Sequence, residues 1–96
     1  MVAFVEMRAL HLKADGSEIQ VNPVGRHFTL KELQACVGGY IEMIPLGEEL
    51  TMVLNEEGKL NDLPLNAKAT KLFRLYHGDT DFIVGDVLVA KNEDLD

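Results

Sequence analysis

Two acidic pairs, Glu48/Glu49 and Glu56/Glu57, are the residues of this sequence whose type best suits proton chemistry. Neighbouring carboxylates support general acid–base work when burial raises the pKa of one of them. Both pairs fall beside glycines where the chain is expected to turn, and carboxylates in turns are ordinarily solvated. His11, His27, His77 and Cys36 contain no pair at metal-ligand spacing, so a zinc site would have to gather four separate elements. The segment DTDFIVGD carries acids at two alternating positions but lacks the third ligand and the glycine placement of a calcium loop; it reads as a polar turn leading into a strand. Ser17 is the only serine and lies next to a hairpin signal, while Cys36 sits in a short predicted helix with no evident base nearby. The patterns therefore predict no catalytic residue, no metal and no cofactor.

Anion binding is a separate question, raised by Gly38-Gly39 and by Asn66 with Ala67, Lys68 and Thr70. Phosphate cradles form at helix amino ends, where free N–H groups and the positive end of the dipole point outward. Gly38-Gly39 follows a predicted helix carboxyl end, so its expected role is a left-handed stop. Asn66 precedes a helix and is flanked by lysine, which makes that helix start the better anion candidate, with plain capping as the structural alternative.

The elements that must position these groups follow from periodicity and caps. Val2–Lys13 is rich in apolar residues, partly alternating from Phe4 to Leu12; Asp15-Gly16 follows as a hairpin turn and Ser17–Val21 as the returning strand. In FTLKEL, Thr29 and Glu32 have capping-box spacing and Phe28 and Leu33 hydrophobic-staple spacing, so a helix is predicted over Leu30–Val37. Tyr40–Leu46 and LTMVLN read as a hairpin, NEEGKL as a tight turn, and Leu60–Leu63 as a short extended piece. A second helix should run from the Asn66 cap to about Tyr76, with Leu65, Ala69, Leu72, Phe73 and Tyr76 on one face and Lys68, Lys71 and Arg74 on the other. DFIVGDVLVA is nearly continuously apolar and predicts a central strand, with Gly85 as a bulge or point of close approach. The expected fold is α+β: an antiparallel sheet of about five strands, in the order β-β-α-β-β-α-β, packing two short helices against a face. Residues 1–91 form a single domain and 92–96 an acidic tail; Leu33, Val37, Leu72, Phe73 and Val87 should be core.

Composition narrows the function. The chain has 96 residues, 47% of them hydrophobic and 26% charged, which suits one folded domain. Nine Lys and Arg against sixteen Asp and Glu give a net charge of −7, which disfavours nucleic acid and suits basic partner proteins. No apolar run has the length of a membrane span, no signal peptide is evident, and one cysteine permits no internal disulfide, so a cytosolic protein away from membranes is expected. The short apolar strand Tyr40–Leu46 could complete its sheet against a second copy, so a homo-oligomer is also expected.

The motifs GGYIE, NEEGKL, LPLN and IVGDVLV, in that order and spacing, resemble a family of small proteins from phages and mobile elements catalogued only as a domain of unknown function. The resemblance covers about Leu33–Ala90 and implies a phage-type accessory protein in the host cytosol, with no established activity. For such a protein the expected function is non-enzymatic interference with host defence by sequestering a small nucleotide-like ligand. The alternative is an acidic module that inhibits a host protein. Tyr40, Glu42, Asn55, Glu57, Asn66 and Thr70 are the expected ligand-binding residues.

Overall fold

A computed structural model describes residues 9–95 of the chain. The part of the first predicted strand from Val2 to Arg8 lies outside the described residues. The two amino-terminal strands are β1 (Ala9–Leu12) and β2 (Glu18–Val21), joined by the turn at Asp15-Gly16. Helix α1 (Leu30–Val37) precedes the hairpin of β3 (Ile41–Leu46) and β4 (Leu50–Asn55), and α2 (Ala67–His77) precedes β5 (Val87–Lys91). The five strands form one sheet in the order β2-β1-β5-β4-β3, every neighbouring pair antiparallel. The fold is thus α+β in the expected element order, and β5 joins the two hairpins.

The caps explain the helix bounds. The Thr29 hydroxyl accepts from Glu32 N at 3.1 Å and Glu32 Oε1 accepts from Thr29 N at 2.8 Å, which closes the capping box. Phe28 and Leu33 are buried together, as the staple spacing requires, and Gly38 stops the helix at φ 81°. At α2, Asn66 is the N-cap and its carboxamide accepts from Ala69 N at 3.0 Å.

The two helices lie on opposite faces of the sheet rather than on one. Leu33 and Val37 of α1 pack with Val53, Leu88 and Ala90, whereas Ala69 and Phe73 of α2 pack with Met52, Leu54, Val87 and Val89. Successive residues of β4 and β5 therefore feed alternate cores, which is why β5 reads as an unbroken apolar run. Of the expected core residues, Leu33, Val37, Phe73 and Val87 are buried, while Leu72 is half-buried at the margin. Leu65 and Tyr76, expected on the inner face of α2, are exposed.

Two further segments depart from expectation. Leu60–Asp62 turns instead of extending: Asn61 N donates to Glu57 O and Leu63 N to Gly58 O. The final apolar run enters the sheet only at Val87, because Ile83–Gly85 pairs with Pro64–Asn66 through Asn66 N to Ile83 O (2.8 Å) and Gly85 N to Pro64 O (2.7 Å). Gly85, at φ 77°, makes the expected close approach: a Cβ there would sit 2.8 Å from Leu63 Cδ1. Through Leu95, the stretch read as an acidic tail is held against the domain. Phe28 N donates to Asp94 O, Asn92 N to Glu49 O and the Asn92 side chain to Glu48 O.

Candidate functional site

A hollow of about 310 Å³ lined by Glu48, Glu49, Lys91, Asn92 and Glu93 lies where the β3–β4 turn meets the end of β5. Two further concave regions lie one beside each helix. The first of these lies at the carboxyl end of α1. Gly38-Gly39 turns the chain into β3, which sets Tyr40 at the rim, and the end of β4 brings Asn55 beneath it. Asn55 is buried; its Nδ2 donates to Val37 O at 3.2 Å and its Oδ1 accepts from Glu57 N at 2.8 Å. The carboxamide thus caps the helix with one end and orients the next turn with the other. Gly39 is needed for this packing, since a Cβ there would stand 3.0 Å from Asn55 Nδ2. Gln34, Glu57 and Asn61 complete a hollow of about 270 Å³ whose lining contains no cationic side chain. Tyr40 is 65% exposed, so its ring is open to a partner.

The second region runs along the outer flank of α2, where Leu65, Ala67, Leu75, Lys71, Arg74 and Thr70 line a groove of about 420 Å³. Helix α2 carries Lys68, Lys71 and Arg74 and no acidic residue, although the whole chain is net negative. Lys68 pairs with Glu18 at 2.7 Å, and Arg74 Nε faces Asp79 at 3.1 Å and Asp81 O at 3.2 Å. Among the described residues Lys71 has no acidic partner. Leu75 is 77% exposed and lines the groove with Lys71 and Arg74.

Of the six residues expected to bind a ligand, Tyr40, Asn55 and Glu57 meet at the α1 pocket, and Thr70 lies in the α2 groove. Glu42 is exposed on β3 and lines neither. Asn66 is fully buried, its Nδ2 donating to Leu12 O (2.9 Å) and Gly85 O (2.8 Å). With Oδ1 on Ala69 N, its side chain ties β1, α2 and the Gly85 turn together and is turned away from any solvent-borne anion. Thr70 is engaged similarly, accepting from Ile83 N at 2.8 Å. Gln34, Asn61, Lys71, Arg74 and Leu75 were not anticipated as site residues. For Lys71 and Arg74 the sequence held a signal, a helix with only basic charges; for Gln34 and Asn61 only convergence in space reveals the role.

The reactive side chains are held back. Burial first, and the nearby Glu32 carboxylate second, push the Cys36 thiol pKa up, so the thiolate is scarce at neutral pH. His11 Nε2 is 2.8 Å from Cys36 O and His77 Nε2 is 2.7 Å from Pro45 O. The His77 ring also stacks on Phe73, with centroids 4.8 Å apart. Glu32 has its pKa lowered by hydrogen bonds from Thr29 N and Val24 N. The pKa of Asp81 is lowered by the Lys59 ammonium and then by Phe82 N, and that ammonium also lies 4.3 Å from the Phe82 ring centre. Among the described residues no three His, Cys, Asp or Glu side chains come together as a metal site, and no helix is long and apolar enough to cross a membrane.

The chain belongs to the family described as domain of unknown function DUF3846, whose model matches residues 7–96. No curated protein and no solved structure matches it.

Proposed function

We propose that this DUF3846 protein is a non-enzymatic accessory protein of phage type that interferes with host defence by sequestering a small nucleotide-like ligand in the groove beside α2. The observation that carries the reading is the pairing, in one groove, of two cationic side chains with apolar walls. A nucleotide presents the same two chemistries: Leu65 and Leu75 offer surface to a base, and Lys71 and Arg74 offer charge to phosphate. Lys71, unpaired among the described residues, needs no ion pair broken before it meets an anion. Turnover is not part of the proposal: no carboxylate, imidazole or thiol lines the groove, and its only hydroxyl, Thr70 Oγ1, already bonds Ile83. The phage association and the host cytosol are likewise part of this proposal.

The test is to incubate the purified protein with a panel of cyclic and linear nucleotide signals, remove free ligand, and heat the complex. Intact ligand released into the supernatant as the protein denatures is the expected result. A chemically altered ligand means an enzyme, and no uptake from the panel sinks the sequestration reading. In the Lys71→Glu/Arg74→Glu double variant, uptake should weaken by roughly 2 to 4 kcal/mol through the loss of two exposed charge contacts.

A further inference from the structure

The pocket at the end of α1 has the opposite chemistry from the groove, and the proposed nucleotide reading does not use it. Its lining offers acceptors: the Glu57 carboxylate and the carboxamide oxygens of Gln34 and Asn61. Helix α1 directs the negative end of its dipole here, and no basic residue stands in its last turn to offset that charge. The Tyr40 ring stands open at the rim. A flat, strongly donating cation matches these features together, since a guanidinium can fork onto a carboxylate, give its remaining N–H groups to carboxamides and stack on an aromatic face. A phosphate would meet carboxamide N–H groups but also the like charge of Glu57 and the negative end of the helix dipole, with no cation to offset them.

The adjoining strand suggests where such a group comes from. Strand β3 is an edge of the sheet among the described residues. Tyr40 O accepts from Glu56 N of the β4 side, so by alternation the backbone groups of Ile41, Met43 and Pro45 face away from β4. Pro45 has no N–H and its carbonyl is covered by His77, which closes that half of the edge. Ile41 and Met43 remain open, directly beyond Tyr40, and Met43 is 46% exposed. We propose that the α1 pocket holds the guanidinium of an arginine on a partner protein, whose extended backbone pairs with Ile41 and Met43. The net charge of −7 on this chain favours such a basic partner.

The probes are an eight-residue peptide of alternating threonine and valine around one arginine, the same peptide with citrulline, the uncharged isostere, and arginine amide alone. Amide NMR titrations of the full chain should show the arginine peptide shifting Ile41, Met43 and Glu57. It should bind about tenfold or more tightly than the citrulline peptide, the scale of one charge-assisted hydrogen bond. Glu57→Gln, a change in an exposed turn, should erase that preference while the spectrum stays folded. Equal binding of the two peptides, shifts confined to other surfaces, or no shifts would overturn the proposal. Arginine amide binding as tightly as the peptide would overturn its strand half. Light scattering that shows a homo-oligomer, with Ile41 and Met43 amides protected without any peptide, would assign the edge to a second copy and overturn the proposal as well.

Discussion

The pocket at the end of α1 and the groove along α2 show how one small sheet presents opposite chemistries on its two sides. At α1 the carbonyl end of a helix meets a carboxylate and carboxamides, and no cation lines the hollow. At α2 a helix bearing only basic charge runs beside exposed leucines. The difference does not come from the caps, since both helices begin on a side-chain cap and end at a glycine with positive φ. It comes from which polar groups the packing has already engaged. Asn66 and Thr70 are bound inward, so the groove is left to the longer side chains of Lys71 and Arg74. Asn55 is bound inward too, but its partners include Glu57 N, which places a carboxylate at the surface.

If the two regions are separate structural units on one sheet, their supports should fail separately. Phe73→Ala removes the ring that seats α2 and should cost roughly 3 to 5 kcal/mol in urea denaturation, the scale for a buried aromatic. A loss under about 1 kcal/mol would mean that α2 is not anchored by this residue. Asn66→Ala comes next: it strands Leu12 O, Gly85 O and Ala69 N, so about 3 kcal/mol should be lost, with the amides of Leu12 and Gly85 exchanging faster. Asn55→Ala acts on the other face and should cost about 1.5 kcal/mol, altering the NMR shifts of Gly38 and Tyr40 while Lys71 and Leu75 stay in place. Combined with Phe73→Ala it should add nearly linearly, and a coupling above about 1 kcal/mol would break the picture of independent sides.

The smallest effect sharpens the comparison through pH. Hydrogen bonds from Thr29 N and Val24 N lower the Glu32 pKa. The stability this gives is present above the ordinary glutamate pKa and is lost as pH falls through the depressed folded value. Wild type and Glu32→Gln should therefore differ most at neutral pH and converge in acid. Convergence should be followed by urea midpoints, and a gap that widens in acid would contradict the capping box.

Much of this architecture was legible because local signals agreed. The bounds of α1 follow from Thr29, Glu32 and Gly38 alone, and the β3–β4 hairpin from two apolar runs around Gly47-Glu48-Glu49. The opposite placement of the helices was implicit in the unbroken run of β5, since a strand apolar on both sides needs two covers, yet alternation alone does not say which helix covers which. Leu60–Asp62 departs from the extended reading because its backbone bonds locally, Asn61 N to Glu57 O and Asp62 N to Lys59 O, and leaves Leu60 84% exposed. Site residues were the least legible. Asn66 has the residue type and position of an anion contact, and only the carbonyls of Leu12 and Gly85, 54 and 19 residues away along the chain, reveal that its donors point inward.

The position of Val87–Lys91 between the two hairpins bears on how the chain acquires its shape over time. As the polypeptide is made, four strands and both helices precede the one strand that links them. A lone two-stranded hairpin is marginal in water, so neither half has a durable partner until this segment arrives. Its pairings with β1 span most of the chain, which favours a late and cooperative step over stepwise assembly. A nascent chain that lacks this strand would expose the apolar undersides of both hairpins to any chaperone or neighbouring chain. The α1 pocket and the α2 groove would come into being in the same event.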